Sequence, residues 1–425
     1  MRFNINKHEK IYRYKLSNGL NFILIPKQEY NKVYATMSVN FGSLDNTFIP
    51  KGKKNFKRFP LGIAHFIEHK IFEMKDHKDA SIIFSKQGAN SNAFTSYSIT
   101  TYLFSSTNNV LDNLDLLLEF TNSNDYSEET INNEKKIIEQ ELLMYLDDPE
   151  LKIQNTLISN LFFKNDILYD IGGTVDSIKE INKKLMDECF NTFYNPSNMV
   201  LIVVGNFDVT KVKNLVKKFY KNKDEKPFDI KRKYFYEDSK IVRKKSKIYL
   251  DIPQPKFTIG IKIPYEELEP LERYKKELLI NIYLNYLFGD TSNYYNELLN
   301  EDLINDSFSY YLVNEDSASY IAIESFSNNI NKAIKKIKEI LLEDHKIDKK
   351  EFTIIKNDLI GKFILSLNSL EAIASNYSRF FFKNLDFFQV PKIIYNLKYE
   401  DLENIKKYFN EDSLSIVEAF RKEDK

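Results

Sequence analysis

The chain has 425 residues, 43% of them hydrophobic, and 61 Lys and Arg balance 61 Asp and Glu to a formal net charge of +0. That length exceeds a single core and predicts two domains of roughly 200 residues, while the cancelling charges argue against a nucleic-acid footprint or binding to an acidic membrane. No run of about 18 apolar residues occurs, residues 1–7 lack the apolar stretch of a signal peptide, and the single cysteine, Cys189, cannot form an intrachain disulfide, so a cytoplasmic location is expected.

Residues 11–26 and 32–42 alternate apolar and polar side chains around Asn18-Gly19, a hairpin signal, and read as strands. A lysine-rich loop over 48–59 leads into a helix that starts near Pro60-Leu61-Gly62. On it stand His65, Glu68 and His69, in the order His-x-x-Glu-His. His65 and His69 are one turn apart, so both imidazoles leave one face and can share a metal. Glu68 is close enough to that face to take a proton from a water that zinc would make acidic. A single His on an apolar helix face is normally a satisfied core residue. Two at ligand spacing beside a carboxylate, in a chain with only 5 His, are hard to assign to chance.

Further on, residues 81–86 continue helically until Gly88, residues 91–105 read as one or two strands, and 110–121 form an apolar-periodic helix. The next helix opens at Ser127 or Thr130 and closes at Asp147-Asp148-Pro149. Glu134 and Glu141 lie two turns apart on one of its faces, and Glu139 points away. Spacing alone says that the pair acts together or is solvated together, and a charged helix is more often a solvated face. Residues 151–163 form another helix, Cys189 reads as a buried small hydrophobe, and 199–205 is a buried strand.

The strongly charged stretch 221–247 reads as a linker between residues 1–220 and 248–425. Beyond it, strands are expected at 248–250 and 257–263 and a helix at 277–288, without histidine. Residues 351–373 superpose weakly on 129–151, setting Lys356 against Glu134 and Phe363 against Glu141. This suggests a duplication whose second copy has lost the site. His345, flanked by Glu343, Asp344 and Lys346, reads as a surface-loop residue, and His8 and His77 as exposed.

Taken with Asn18-Gly19-Leu20, Gly42-Ser43-Leu44-Asp45, Asn92-Ala93-Phe94-Thr95, Thr100-Thr101-Tyr102, Gly172-Gly173-Thr174 and Phe193-Tyr194-Asn195-Pro196, the chain resembles the pitrilysin/insulinase family of zinc peptidases, which includes the mitochondrial processing peptidases. The likeness runs over essentially the whole chain, is most specific in residues 16–206, and is nearest to a half-length bacterial branch. It implies an α+β fold of two homologous α/β sandwich domains, each a mixed, mostly antiparallel sheet with helices packed on it, the second without a metal site. It implies Zn2+ held by His65, His69 and Glu141. Glu68 would be the general base, and Glu134 the nearby carboxylate that tunes the catalytic site. Asn92, Ala93, Phe94 and Thr95 would form a sheet edge to which substrate backbone adds as a strand.

The function implied is a zinc metalloendopeptidase acting on peptides or unfolded segments. The alternative is a non-catalytic or weakly active subunit of a processing-peptidase-like heterodimer. It draws on Asn300 and Phe308, which stand where active relatives often carry an Arg and a Tyr, with Tyr310 and Tyr311 as candidate substitutes. A di-iron carboxylate site would need Glu-x-x-His pairs, and Glu68 and His69 are adjacent. Full-length relatives close four homologous domains around a chamber, so a two-domain chain is expected to work as a homodimer or as a heterodimer with a related chain.

Overall fold

β-Branched and aromatic runs supply the strands. In the computed structural model, which describes residues 10–75, 78–223 and 225–425, β1 (Tyr12–Lys15) turns back through Asn18-Gly19 onto β2 (Asn21–Pro26). Gly19 takes φ 93° there, the left-handed conformation that such a turn needs. With β3 (Val33–Val39), β4 (Ala89–Thr95), β5 (Thr100–Ser106) and β6 (Met199–Gly205) they make a six-stranded sheet. Its order is β1-β2-β6-β3-β5-β4. Only β2 and β6 run parallel. β6 is interior and buried along its whole length, whereas β4 is an edge strand of alternating burial. His8 and His77 lie outside the described residues.

A second sheet contains β7 (Lys245–Leu250), β8 (Lys256–Ile263), β9 (Ser309–Asn314), β10 (Ser319–Phe326) and β11 (Leu414–Arg421), in the order β7-β11-β8-β10-β9. Again one pair, β7 and β11, is parallel and the rest antiparallel. This is the order β2-β6-β3-β5-β4 strand for strand, so the duplication is explicit in the topology. Helices begin at Glu128 and Pro149 in one repeat and at Lys349 and Leu370 in the other. Ile355 therefore matches Glu134, and Lys362 matches Glu141, one residue away from the superposition that sequence suggests. The buried Phe352 and Phe363 then align with the buried Ile131 and Leu142, which is the core face that weak identity failed to fix.

Each compact unit is discontinuous in sequence. The first comprises the chain up to Leu142, Tyr169–Tyr234 and Ile364–Gln389; the second comprises Leu143–Leu168, Phe235–Phe363 and Val390–Lys425. The contiguous division at 1–220 and 248–425 does not describe these contacts. Helix Pro149–Leu161 packs on β8 and β11, where a Cβ on Gly260 would come within 2.5 Å of Leu157. Helix Leu370–Phe382 packs on β3 and β6, and Ser38 donates to Ser378 Oγ at 3.0 Å. Each half of the sequence thus lends a helix to the other half's sheet, and no local pattern announces which sheet an apolar helix face will cover.

Three further expectations are corrected. The stretch 221–247 is not a free tether. Arg232 Nε donates to Asp45 Oδ1 at 2.8 Å, Arg232 Nη2 to Asn40 O at 2.6 Å, and Tyr234 OH to Asp45 Oδ1 at 2.7 Å. Asp45 is only 2% exposed. In the second unit, Glu237 accepts from the amides of Phe163, Lys164 and Asn165 and from Lys262 Nζ. Nor is His345 on the surface: it is buried, with Nδ1 2.8 Å from Tyr294 OH and Nε2 against Ile340 O. Helix Pro270–Phe288 also starts well before residue 277. Among the described residues, no helix is long and apolar enough to cross a membrane.

Breaking a buried ion pair by removing one partner costs about 3–5 kcal/mol. Arg232→Ala should therefore lower the denaturant midpoint of the first unit by an amount equivalent to roughly 3 kcal/mol. A residue of a solvated tether would shift it by less than about 0.5 kcal/mol.

Candidate active site

α1 (Ile63–Lys70) is seated by its apolar face, with Ile63, Ala64, Phe66 and Ile67 buried. Its N-terminus is fixed by close backbone contact. Gly62 has φ 80°, and a Cβ there would lie 2.1 Å from Gly172 O; Gly173 has φ 86°, and its Cβ would lie 2.5 Å from Leu61 O. Neither position admits a side chain. α2 (Glu128–Asp147) buries Ile131, Ile138 and Leu142. That leaves Glu134 and Glu141 on an adjoining face, which meets the polar side of α1.

The two helices bring four predicted residues together. His65 Nε2 is 4.0 Å from Glu141 Oε1, and His69 Nε2 is 3.8 Å from Glu141 Oε2. One ligand atom from each of His65, His69 and Glu141 lies within 4.8 Å of the others, the only such grouping among the described residues. Zinc bonds of 2.0–2.2 Å in a tetrahedron hold ligand atoms about 3.4 Å apart, so a small contraction suffices. Two imidazoles and one carboxylate are also a donor set that zinc accepts while keeping a fourth position open. The residues fit the ion. Glu134 Oε1 sits 3.1 Å from His69 Nδ1, the other ring nitrogen. That bond sets the tautomer in which Nε2 carries the lone pair.

The electrostatics follow from burial and crowding. Burial, helped by His69 and opposed by Glu141 and Glu134, pushes the His65 pKa down, toward the neutral ring that a metal requires. Burial would lower His69 too, but the hydrogen bond to Glu134 and the charges of Glu68, Glu134 and Glu141 outweigh it and raise the value. Glu134 is pushed up by burial and pulled further down by His69 and Lys70, so its net shift is downward. Burial raises Glu68, only 9% exposed, above the usual carboxylate value, against the opposing pull of His69 and of a hydrogen bond from Thr95.

That last bond changes the reading of the sheet edge. Thr95 Oγ1 donates to Glu68 Oε2 at 3.0 Å, so this side chain holds the carboxylate. Asn92 and Phe94 are exposed on β4, Ala93 and Thr95 half-buried, and the Ala93 amide is held by Asn92 Oδ1 at 2.8 Å. Sequence reasoning missed Lys70, buried on α1 and 2.6 Å from Glu73. The available signal was a lysine at a position whose neighbours one turn back, Phe66 and Ile67, are core residues. In the second unit, Asn300 is the exposed last residue of helix Asn293–Asn300, and Phe308 packs with the rings of Phe288, Tyr295 and Tyr310. Tyr310 and Tyr311 lie on β9.

Known proteins resemble this chain in sequence and in fold. The family model for insulinase (peptidase family M16) matches residues 25–174, and that for the peptidase M16 inactive domain matches residues 180–359. A Bacillus subtilis protein named as an uncharacterized zinc protease, YmfH, is 36% identical over 420 residues, covering 97% of both chains. The crystal structure of an M16-like peptidase from Alicyclobacillus acidocaldarius superposes with a TM-score of 0.91 at 27% identity, over 97% of this chain and 98% of that one. A protease structure from Helicobacter pylori shares the fold, with a TM-score of 0.79 at 20% identity over 97% and 99% of the two chains.

Glu141→Gln should weaken zinc binding strongly, by at least about tenfold, while Glu139→Gln should leave it nearly unchanged. Competition with a chelator of known affinity measures both. The reverse ranking would place the third ligand elsewhere on α2.

Proposed function

This chain belongs to the insulinase family of peptidases, family M16, and on that premise we propose that it is a zinc metalloendopeptidase hydrolysing peptides or unfolded segments. The observation that carries the proposal is the meeting of His65, His69 and Glu141 around one point, with Glu68 between the two histidines on the same helix. Bound there, zinc would supply a Lewis acid for the scissile carbonyl and lower the pKa of the attacking water. The remaining chemistry belongs to the protein. Glu68 takes the proton of the attacking water and delivers it to the leaving amine. A buried carboxylate of raised pKa is a better base for that task than an exposed one. Glu134 holds His69 by its Nδ1, and Thr95 fixes one Glu68 oxygen while leaving the other free.

Substrate would add to β4 as a further strand along Asn92, Ala93, Phe94 and Thr95. Main-chain hydrogen bonds read no side chains, so such an edge accepts varied sequences in extended form. A second reading, a weakly active subunit that needs a related catalytic chain, draws on Asn300 and Phe308, which offer neither a charge nor a hydroxyl.

Assembly belongs to the same proposal. A single chain has two homologous units, and a metal site open to bulk water stabilises developing charge poorly because water screens the groups aimed at it. A second chain, identical or related, would supply the missing wall and exclude compact folded proteins.

Glu68→Gln is expected to keep its zinc and lose peptide hydrolysis, by a factor of about 100 or more; unchanged turnover would remove Glu68 from the mechanism. Specific activity should rise with protein concentration across the dissociation range of a dimer. Full specific activity in a sample shown by light scattering to be monomeric would rule out the assembly.

A further inference from the structure

Lys70 is the last residue of α1 and is only 6% exposed, at a position where the helix otherwise buries hydrocarbon. Its ammonium has two neighbours of opposite charge. Glu73 Oε2 lies at 2.6 Å and Glu134 Oε2 at 3.7 Å. The other oxygen of Glu134, Oε1, is the one 3.1 Å from His69 Nδ1. Both ends of the Glu134 carboxylate are therefore engaged, one by a ring on α1 and one by a cation on α1.

We propose that Lys70, itself anchored by Glu73, is a positioning residue that holds the Glu134 carboxylate in the orientation that presents His69 to the metal. The inference rests on the zinc peptidase reading and adds two residues to it. A glutamate has three rotatable bonds, and with Oε2 unheld the carboxylate can turn and give up its bond to His69 Nδ1, leaving the ring free to rotate its Nε2 away from the metal. The ammonium of Lys70 opposes that turn by holding Oε2 while Oε1 faces His69. Glu73 performs a different task. It neutralises Lys70 at short range, so the clamp adds little repulsion toward an incoming cation. An aliphatic residue would pack as well at position 70 and would avoid burying a charge, so packing alone does not account for a lysine.

Charge and position make opposite predictions, which allows a clean test. If Lys70 acted only through its charge, Lys70→Met would remove a cation and tighten zinc binding. If it positions Glu134, the same change weakens binding. The charge-balanced double variant, Lys70→Met with Glu73→Gln, removes the pair without orphaning a buried charge or altering the net charge around the metal. It keeps the test open where the single variant does not fold. Zinc affinity, measured by competition with a chromophoric chelator on protein verified by circular dichroism, should fall about tenfold or more in either variant. In a Glu134→Gln background the same changes should have almost no further effect, because the clamp acts through Glu134. Wild-type affinity or tighter binding in the variants, or a full loss that persists in the Glu134→Gln background, would overturn the positioning role while leaving the peptidase reading intact. A wild-type protein that takes up no zinc would overturn both.

Discussion

Backbone meets backbone at Leu61-Gly62 and Gly172-Gly173, and the geometry of the site depends on that contact. A methyl group at position 62 would sit 2.1 Å from a carbonyl oxygen, well inside any tolerable approach. Two of the glycines also occupy the left-handed region, at φ 80° and 86°. Sterics and conformation thus demand the same residue at the same places. The consequence is positional: the first turn of α1 cannot slide along its axis or lift from the loop. Because His65 and His69 are rigidly spaced along that helix, fixing its start fixes where both imidazoles point. Ser177 adds a hydrogen bond to Leu61 O at 2.9 Å, from the helix that follows the glycine pair.

On this rigid base the protein assembles an electrostatic arrangement that is costly without a cation. Glu68, Glu134 and Glu141 share one small, partly buried region, and Glu68 is nearly inaccessible. Burial disfavours the charge of Glu68, and repulsion from Glu141 adds to that cost. The hydroxyl of Thr95 offsets part of it, as Lys70 does for Glu134. A divalent ion would offset more, so metal binding and the stability of the first unit are linked. Each carboxylate is nonetheless held differently: Glu134 by a ring nitrogen and an ammonium, Glu68 by a hydroxyl, Glu141 by its place opposite two imidazoles. The same side chain type thus meets three different environments.

The parts of this arrangement that sequence reveals are those written in short-range periodicity. The His-x-x-Glu-His helix, the seven-residue interval from Glu134 to Glu141 and the buried strand Met199–Gly205 all stand as expected. Interval alone did not make Glu141 a ligand; family resemblance proposed it, and the distances to His65 and His69 give that proposal a geometry. What stayed hidden depends on partners far apart in the chain. Arg232 finds Asp45 187 positions away, so a charged stretch that looks solvated is partly pinned. His345 is surrounded by charged neighbours in sequence but by Tyr294 and Ile340 in space. Thr95 reaches Glu68, and Lys70 reaches Glu134, across elements whose packing no local pattern encodes.

The second repeat shows how little of the fold needs the chemistry. Its five strands keep the order and the single parallel pair of the first sheet, yet the residues matching Glu134 and Glu141 are Ile355 and Lys362. Ile355 is 8% exposed, absorbed into apolar packing, and Lys362 pairs on the surface with Asp358 at 2.8 Å. Positions that are polar and half-buried in the first unit have thus separated into one core residue and one solvated residue. That is the arrangement expected once no metal requires carboxylates at an intermediate depth. The backbone contact at Gly62, the anchored lysine and the crowded glutamates are then features that the site, and not the sheet, demands of the first unit.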